Sequence, residues 1–470
     1  MTTAVNAFTM AADLWSTRRR RASYLTNPQA WAEDKVHAFL WSKQREIIQS
    51  VVFNRRTAVQ SSHGPGKSFI AGMLAGWWID THPPGEAMVV TTAPTYKQVH
   101  GILWEEIRKQ HKAGGLPGRV LMTDQWYIGE SLVGEGRKPA DHDADGFQGT
   151  HRRFVLVILD EACGVPEVLF TGAESITTNE HCRILAIGNP DNPSTPFAAA
   201  CKPNSGWNVI RISTFDTPNF TGEEIPDDLR ELLPSPEWAN DRLQKWGVDS
   251  PLYKSKVLGE FPESGEDTLI PLGWIIAAQN RDIEPKRGSV SKLGVDVARF
   301  GSDRSVIYHN HGGRFRLLSD RNGESTTKTA GRAIVAWRDT KASDINVDGV
   351  GVGAGVVDSL DDDGYPVCDM QAGGGANDSK LFINARAEWY WNLRGMFERG
   401  EVDLDPTDEE VAAQLSSLRF KYTRRGQIQI ESKEDMRKRG MPSPDRADAL
   451  MLSANEPVED GYSDTIGALH

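Results

Sequence analysis

Two separated groups of residues in this chain have the types and spacing for phosphate chemistry. The first begins with "SSHGPGKSF" (61–69), where Gly64, Gly66, Lys67 and Ser68 suit a loop that wraps phosphates. Backbone N–H groups, a lysine charge and a metal-facing hydroxyl would do the wrapping. The strict pattern opens on glycine, and Ser61 stands at that place, so context has to decide. β-Prone "TAVQ" (57–60) precedes the loop, and "SFIAGMLAGWWI" (68–79) follows with near-helical apolar spacing. Further on, the apolar run in "FVLVILDEA" (154–162) ends in Asp160-Glu161. Such a run predicts a buried parallel strand, and ligands gather at the C-terminal ends of such strands. There Asp160 is expected to hold Mg²⁺ through water and Glu161 to polarise an attacking water. Together the loop and the paired acids point to ATP hydrolysis.

Three weaker features bear on the same site. Asn189 in "RILAIGNP" (183–190) ends another apolar run, suited to sensing a γ-phosphate, although Gly-Asn-Pro is equally a plain turn. Gln44 precedes the loop at a distance where an adenine-reading glutamine can sit, or it is an exposed helix residue. Arg152 or Arg153, just before the acidic strand, could reach a neighbouring subunit's ATP as an arginine finger.

The second group is a set of dispersed aspartates. "KLGVDVARFGSDRSVIYHNHGGRFRLLS" (292–319) reads as a strand ending at Asp296, then two strands joined at "HNHGG". A helix is expected near 325–338, and "SDINVDGVGVGAGVVDSL" (343–360) as a strand ending at Asp348 before a glycine-rich helix start. "LRFKYTRRGQIQI" (418–430) reads as a hairpin. "SPDRADALMLSA" (443–454) reads as a helix capped by Ser443, with Pro444 in its first turn. This order is that of an RNase H-like fold, whose first and fourth strands are central neighbours. Asp296 and Asp348 then meet, and Asp445 or Asp448, three apart on one helical face, approaches them. Taken singly, each aspartate could merely end a strand or cap a helix. Three converging carboxylates repel unless cations neutralise them, which predicts a two-metal phosphodiester nuclease using Mg²⁺ or Mn²⁺. Asp303 is a candidate fourth ligand. The glycines of "GVGVGAG" (349–355) lack the downstream acid of a dinucleotide site.

The elements carrying these groups imply an α/β protein: a P-loop ATPase domain of the ASCE type with a parallel sheet, then an RNase H-like nuclease domain. The expected division is an N-terminal arm (1–40), the ATPase domain (41–215), a small subdomain and linker (216–290), the nuclease domain (291–455) and a flexible tail (456–470). With 470 residues, several domains are expected. Net charge of −12 argues against a chain that coats DNA non-specifically, but local basic stretches occur. Residues 18–21 are arginines, and nine Lys/Arg stand against four Asp/Glu between Arg419 and Arg446, a DNA track beside the third acid. No apolar run approaches the ~20 residues of a membrane span, and no secretory leader is evident. The four scattered cysteines form no disulfide or zinc framework, as expected in a reducing cytosol.

The segments "SSHGPGKS", "FVLVILDEA", "ILAIGNP", "GVDVARFGSD", "INVDGVGVGAGVVDSL" and "SKEDMRKRGMPSPDRADAL" occur in the order seen in large terminase subunits of tailed bacteriophages, which the chain resembles from about 40 to 455. That resemblance implies an ATP-driven motor that moves double-stranded DNA into a procapsid and a nuclease that cuts concatemeric DNA. It implies Lys67 and Ser68 as phosphate-loop residues, Asp160 as the metal-associated acid, Glu161 as the base and Asn189 in the coupling motif. Asp296, Asp348 and one of Asp445 and Asp448 match its nuclease acids. The implied partners are the portal protein, the small terminase subunit and copies of the chain in a ring, usually of five. The implied place is the host cytoplasm at the portal vertex, not the mature virion. Two other readings stay open: a DNA-repair or recombination ATPase fused to a resolvase-type nuclease, and a motor whose degenerate nuclease clamps DNA.

Overall fold

The computed structural model describes residues 22–83, 85–137, 152–263, 265, 267–298 and 304–458. Asp303, the arginines at 18–21 and most of the expected tail lie outside them. The chain forms two compact units, Met1–Asp241 with Lys254–Pro262, and Arg242–Tyr253 with the chain from Glu263 on. The stretch 216–290 is therefore divided between them.

In the first unit an eight-stranded sheet is built from β1 (Arg56–Ser61), β2 (Ala87–Thr92), β3 (Arg119–Val120), β4 (Gln125–Ile128), β5 (Ser131–Gly136), β6 (Phe154–Asp160), β7 (Arg183–Gly188) and β8 (Asn208–Ile212). Its order is β3-β4-β5-β2-β6-β7-β1-β8. The six strands from β5 to β8 run parallel, as expected of the first domain's sheet. The antiparallel extension β3–β5 is an addition that the sequence reading did not contain. Its strands are too short and too half-buried to carry a clear alternation.

Helices cover both sheet faces, so the central strands are apolar on both sides. On β6, Leu156 and Ile158 join one core, with α1 (Ser42–Phe53), α2 (Lys67–Thr81) and α3 (Trp104–Ala113). Val155, Val157 and Leu159 join the other, with α4 (Glu167–Ser175). This two-sided burial is why "FVLVIL" is a continuous apolar run. Placing β7 between β1 and β6 sets the ends of three strands side by side: Ser61, Asp160 and Gly188.

The second unit contains a five-stranded sheet of β9 (Ser291–Asp296), β10 (Arg304–His311), β11 (Arg314–Asn322), β12 (Asp344–Asp348) and β13 (Val367–Met370). Its order is β11-β10-β9-β12-β13, with β10 antiparallel to both neighbours and β9, β12 and β13 parallel. The first and fourth strands are thus neighbours, as an RNase H-like order requires. The register pairs Val347 with Val295, which puts Asp348 and Asp296 at adjoining strand ends.

Strand periodicity then sorts the faces. Leu293, Val295, Ile345 and Val347 pack under α5 (Thr326–Thr340) and α6 (Ala354–Asp362). Gly294, Asp296, Asn346 and Asp348 alternate with them and face α10 (Asp445–Ser453). Between these helices lie α7 (Ala385–Arg399), α8 (Glu409–Ser417), the hairpin β14 (Phe420–Tyr422) and β15 (Ile428–Ile430), and α9 (Lys433–Lys438).

Gly294 is what lets α10 lie so close. A Cβ there would stand 2.0 Å from the Ala449 carbonyl oxygen. Asn346 Nδ2 donates to the Leu452 and Asn455 carbonyls at 2.8 and 2.9 Å, and Asn310 Nδ2 to the Ser453 carbonyl at 3.1 Å. These bonds fix the C-terminal end of α10 and so the azimuth of its first turn. The expected cap is corrected: Pro444 is the N-cap, and the Ser443 hydroxyl donates instead to Asp445 Oδ1 at 2.5 Å. Among the described residues no helix is long and apolar enough to cross a membrane.

Candidate phosphate loop and carboxylate cluster

The candidate phosphate loop leaves β1 at Ser61 and enters α2 at Lys67, with Gly64 and Gly66 at φ 79° and 91°. Ser61 ends a strand, where no positive φ is needed, so a side chain fits at the position the strict pattern gives to glycine. Lys67 is buried, and burial lowers its ammonium pKa. Its Nζ donates to the Ser62 carbonyl at 3.2 Å and to Asn189 Oδ1 at 3.3 Å. Asn189 Nδ2 donates to the Ser61 carbonyl at 2.7 Å. Asn189 therefore bridges the loop backbone and its lysine. Gln44 is also buried, and its amide nitrogen lies 2.8 Å from where a Cβ on Gly66 would stand.

Asp160 and Glu161 follow on the neighbouring strand end. Burial, then the Glu161 charge, push the Asp160 carboxyl up to about 7, while Lys67 pulls the other way. A cation bound there would reverse that penalty, so the carboxyl is chemically suited to hold Mg²⁺. Glu161 has left-handed backbone (φ 45°, ψ 48°), which turns its side chain off the line of β6. Gly188 makes room for this turn, since a Cβ there would meet the Ala162 nitrogen at 2.7 Å. Arg152 and Arg153 are exposed at the opposite end of β6, with Arg153 3.5 Å from Glu86. Across a strand of this length they are roughly 20 Å from the acids of the same chain.

In the second unit the candidate acids surround an amine that sequence reasoning did not single out. Lys433 Nζ lies 3.3 Å from Asp296, 3.5 Å from Asp445 and 2.9 Å from Asp448. Its ammonium is held well above the usual range by Asp448, Asp296 and Asp445, against the effect of burial. Asp348 is half-buried beside them, its pKa raised by burial and by Asp448. Burial, reinforced by Asp448, Asp445 and Asp348 and opposed by Lys433, pushes Asp296 up to about 8. Asp448 goes the other way. Burial would raise it, but Lys433, Arg386 and the Tyr390 hydroxyl outweigh that and hold it at about 2.

Both helix acids are locked in place. Tyr390 Oη donates to Asp448 Oδ1 at 2.6 Å and Arg386 to the same oxygen at 3.4 Å. The backbone N–H of Arg304 donates to Asp445 Oδ2 at 2.8 Å. Among the described residues no set of three acid, histidine or cysteine side chains is spaced as a ready metal cage. The donor chemistry nonetheless fits a hard cation, because three buried carboxylates already share one positive charge at a single point.

The basic stretch around this cluster is less of a surface than its sequence implies, and that expectation is corrected here. Arg446 is bound within 2.6–3.1 Å by Asp320, Asp408 and Glu410, and Arg439 by Glu431. Lys421, Tyr422, Arg424 and Arg425 on the hairpin are exposed. Tyr390 and Arg386 meet Asp448, and Lys433 meets Asp296, across more than fifty residues of chain, so no local pattern marks them.

No protein-family model matches the chain. The chain is similar to the "probable terminase, large subunit" of Enterobacteria phage P7, 26% identical over 449 residues that cover 87% of each protein. That span exceeds either compact unit alone. Among solved structures, it aligns over 89% of its length with the large terminase of a thermophilic bacteriophage, covering 99% of that chain at 13% identity and TM-score 0.42. The nuclease domain of the large terminase subunit gp2 of bacterial virus Sf6 aligns in full with 41% of this chain, at 22% identity and TM-score 0.36. At these scores the fold rests on the strand orders given above.

Proposed function

We propose that this chain is the large subunit of a phage terminase, with an ATP-driven DNA-translocating motor in the first unit and a metal-dependent endonuclease in the second. The observation that carries the reading is the presence in one chain of both clusters, the Lys67–Asn189–Asp160–Glu161 group and the carboxylates around Lys433. The likeness to the P7 protein across most of the length supports it.

In the first unit, Gly64, Gly66 and Lys67 receive the phosphates, and Gln44 behind Gly66 borders the nucleotide. Lys67 is desolvated and held by neutral partners, so a phosphate oxygen is a stronger ligand for it than the Asn189 amide. Its transfer would free Asn189, whose other bond is to the root of the loop, and Asn189 thereby reports occupancy. Glu161 accepts the proton of the attacking water. Asp160 and Ser68 would hold Mg²⁺.

In the second unit Asp296, Asp348, Asp445 and Asp448 would hold divalent cations, which neutralise charge and activate water when bound. Lys433 must yield its place among these acids for that to happen. Tyr390, Arg386 and the Arg304 N–H keep the two helix acids oriented throughout. The exposed hairpin residues Lys421, Arg424 and Arg425 contact DNA phosphates, and Tyr422 lies among them. The proposed partners are double-stranded DNA, a portal protein, a small terminase subunit and further copies of the chain in a ring.

The test is ATP turnover with DNA alone and with DNA plus procapsids bearing portal. A terminase is stimulated further by procapsids. A repair or recombination ATPase is not, and equal rates would reject the packaging role.

A further inference from the structure

We infer that residues 254–260 form a strap that positions the phosphate loop, and that the Asp191–Lys256 ion pair fastens it; the inference rests on the ATP-hydrolysis reading above. The strap begins as a π-turn over Lys254–Leu258, a rare geometry concentrated at functional sites. It belongs to the first unit, although the residues just before it, 242–253, belong to the second.

Three sets of bonds tie it to the nucleotide site. The His63 N–H donates to the Lys256 carbonyl at 2.7 Å, so the strap engages the loop's own backbone. Next to it the Ser62 N–H donates to the Ile212 carbonyl at 2.7 Å, and the Ser213 hydroxyl to the Val257 carbonyl at 3.3 Å. Lys256 Nζ lies 3.2 Å from each Asp191 oxygen, and Ser255 Oγ donates to Asp191 Oδ1 at 2.5 Å. The ion pair is shielded, with side chains 17% and 9% exposed.

Asp191 stands two residues after Asn189, which holds Lys67 and the Ser61 carbonyl. One short loop after β7 therefore grips the phosphate loop twice. Asn189 holds its root and its lysine, and Asp191 holds the strap that pins its middle. Lys256 is a positioning residue in this scheme, setting the spacing of donors that meet the phosphates. Truncating one partner of a shielded pair also leaves a lone charge beside the site, so the effect exceeds that of a surface pair.

The experiment measures steady-state ATP hydrolysis by the full chain carrying Lys256→Met, Lys256→Arg, or Asp191→Asn with Lys256→Met. The double variant leaves no lone charge and serves as the folded control for loss of the fastener. We expect Lys256→Met and the double variant to raise KM for ATP about tenfold while kcat falls less than about threefold. Lys256→Arg should bring KM back to within about threefold of wild type. Glu161→Gln should do the reverse, losing kcat while fluorescent-nucleotide binding persists. A KM in the double variant within about twofold of wild type overturns the strap and leaves the ATPase reading standing. A loss of kcat with unchanged KM, or no recovery with arginine, overturns it too. A wild-type protein that hydrolyses no ATP overturns both.

Discussion

Replacing Asp296 by asparagine should remove nuclease activity and at the same time stabilise the protein. Asp296 is 6% exposed, and its carboxyl is pushed from 3.8 up to about 8 by burial and three neighbouring aspartates. Between those two values the folded chain keeps a proton that the unfolded chain has lost. Stability from this residue is therefore greatest below the unfolded value and falls as pH rises toward 8. At pH 7 the difference from the ordinary value of 3.8 corresponds to at most about 4 kcal/mol. That penalty already includes the attraction of Lys433, 3.3 Å away; asparagine removes the penalty but still buries a polar group, so about half is expected, or ~2 kcal/mol. For a unit of this size that is a rise of about 4–8 °C in melting temperature. The assay is thermal unfolding of the full chain, wild type against Asp296→Asn, at pH 5, 7 and 8. The gain should shrink below about 1 kcal/mol at pH 5 and be largest at pH 8. A variant that melts lower than wild type, or gains equally at pH 5 and 8, would refute the electrostatic account of the cluster.

Other outcomes follow from the same contacts. Lys433→Ala leaves the three aspartates without their shared cation, so the metal-free protein should melt lower and Mn²⁺ should raise its melting point more than that of wild type; equal responses to Mn²⁺ would show that Lys433 and metal do not compete. His82 is buried between the Trp78 and Phe154 rings, and burial lowers it to about 4. The unfolded chain binds the proton first, so stability present above 6.5 is lost as pH falls; about 2 kcal/mol should go between pH 7 and 5, and His82→Phe should abolish that loss. Reversing Arg424 and Arg425 to glutamate should weaken DNA binding in a salt-dependent way, with ATP turnover without DNA unchanged; a salt slope equal to wild type would remove the hairpin from the DNA path.

How much of this was legible in the sequence depended on how local the signal was. "FVLVILDEA" announces its place because a strand buried on both faces must be apolar throughout, and its acids then fall at the ligand end. The pairing of β9 with β12 was recoverable because element order constrains an RNase H-like sheet. Gly294 was not singled out, since its function is to admit a helix more than 150 residues later. Lys433 lies in a basic run that reads as a DNA track, and folding turns it inward onto Asp296, Asp445 and Asp448. Arg446 reads as part of the same DNA track and is instead bound in an internal network. Ser443 was read as a cap because its type and position fit, but the adjoining Pro444 takes that place and the hydroxyl turns to Asp445. Long-range charge pairing leaves no periodic trace in the chain.

The central claim is that one polypeptide carries two separable phosphate chemistries. Its most direct test is a paired measurement on one preparation: cleavage of supercoiled plasmid with Mn²⁺, and ATP turnover, for wild type and Asp296→Asn. Metal-dependent nicking and linearisation by wild type, none by the variant, and equal ATP turnover in both are expected. Plasmid cutting that survives in Asp296→Asn, or ATP turnover that disappears with it, would contradict the account.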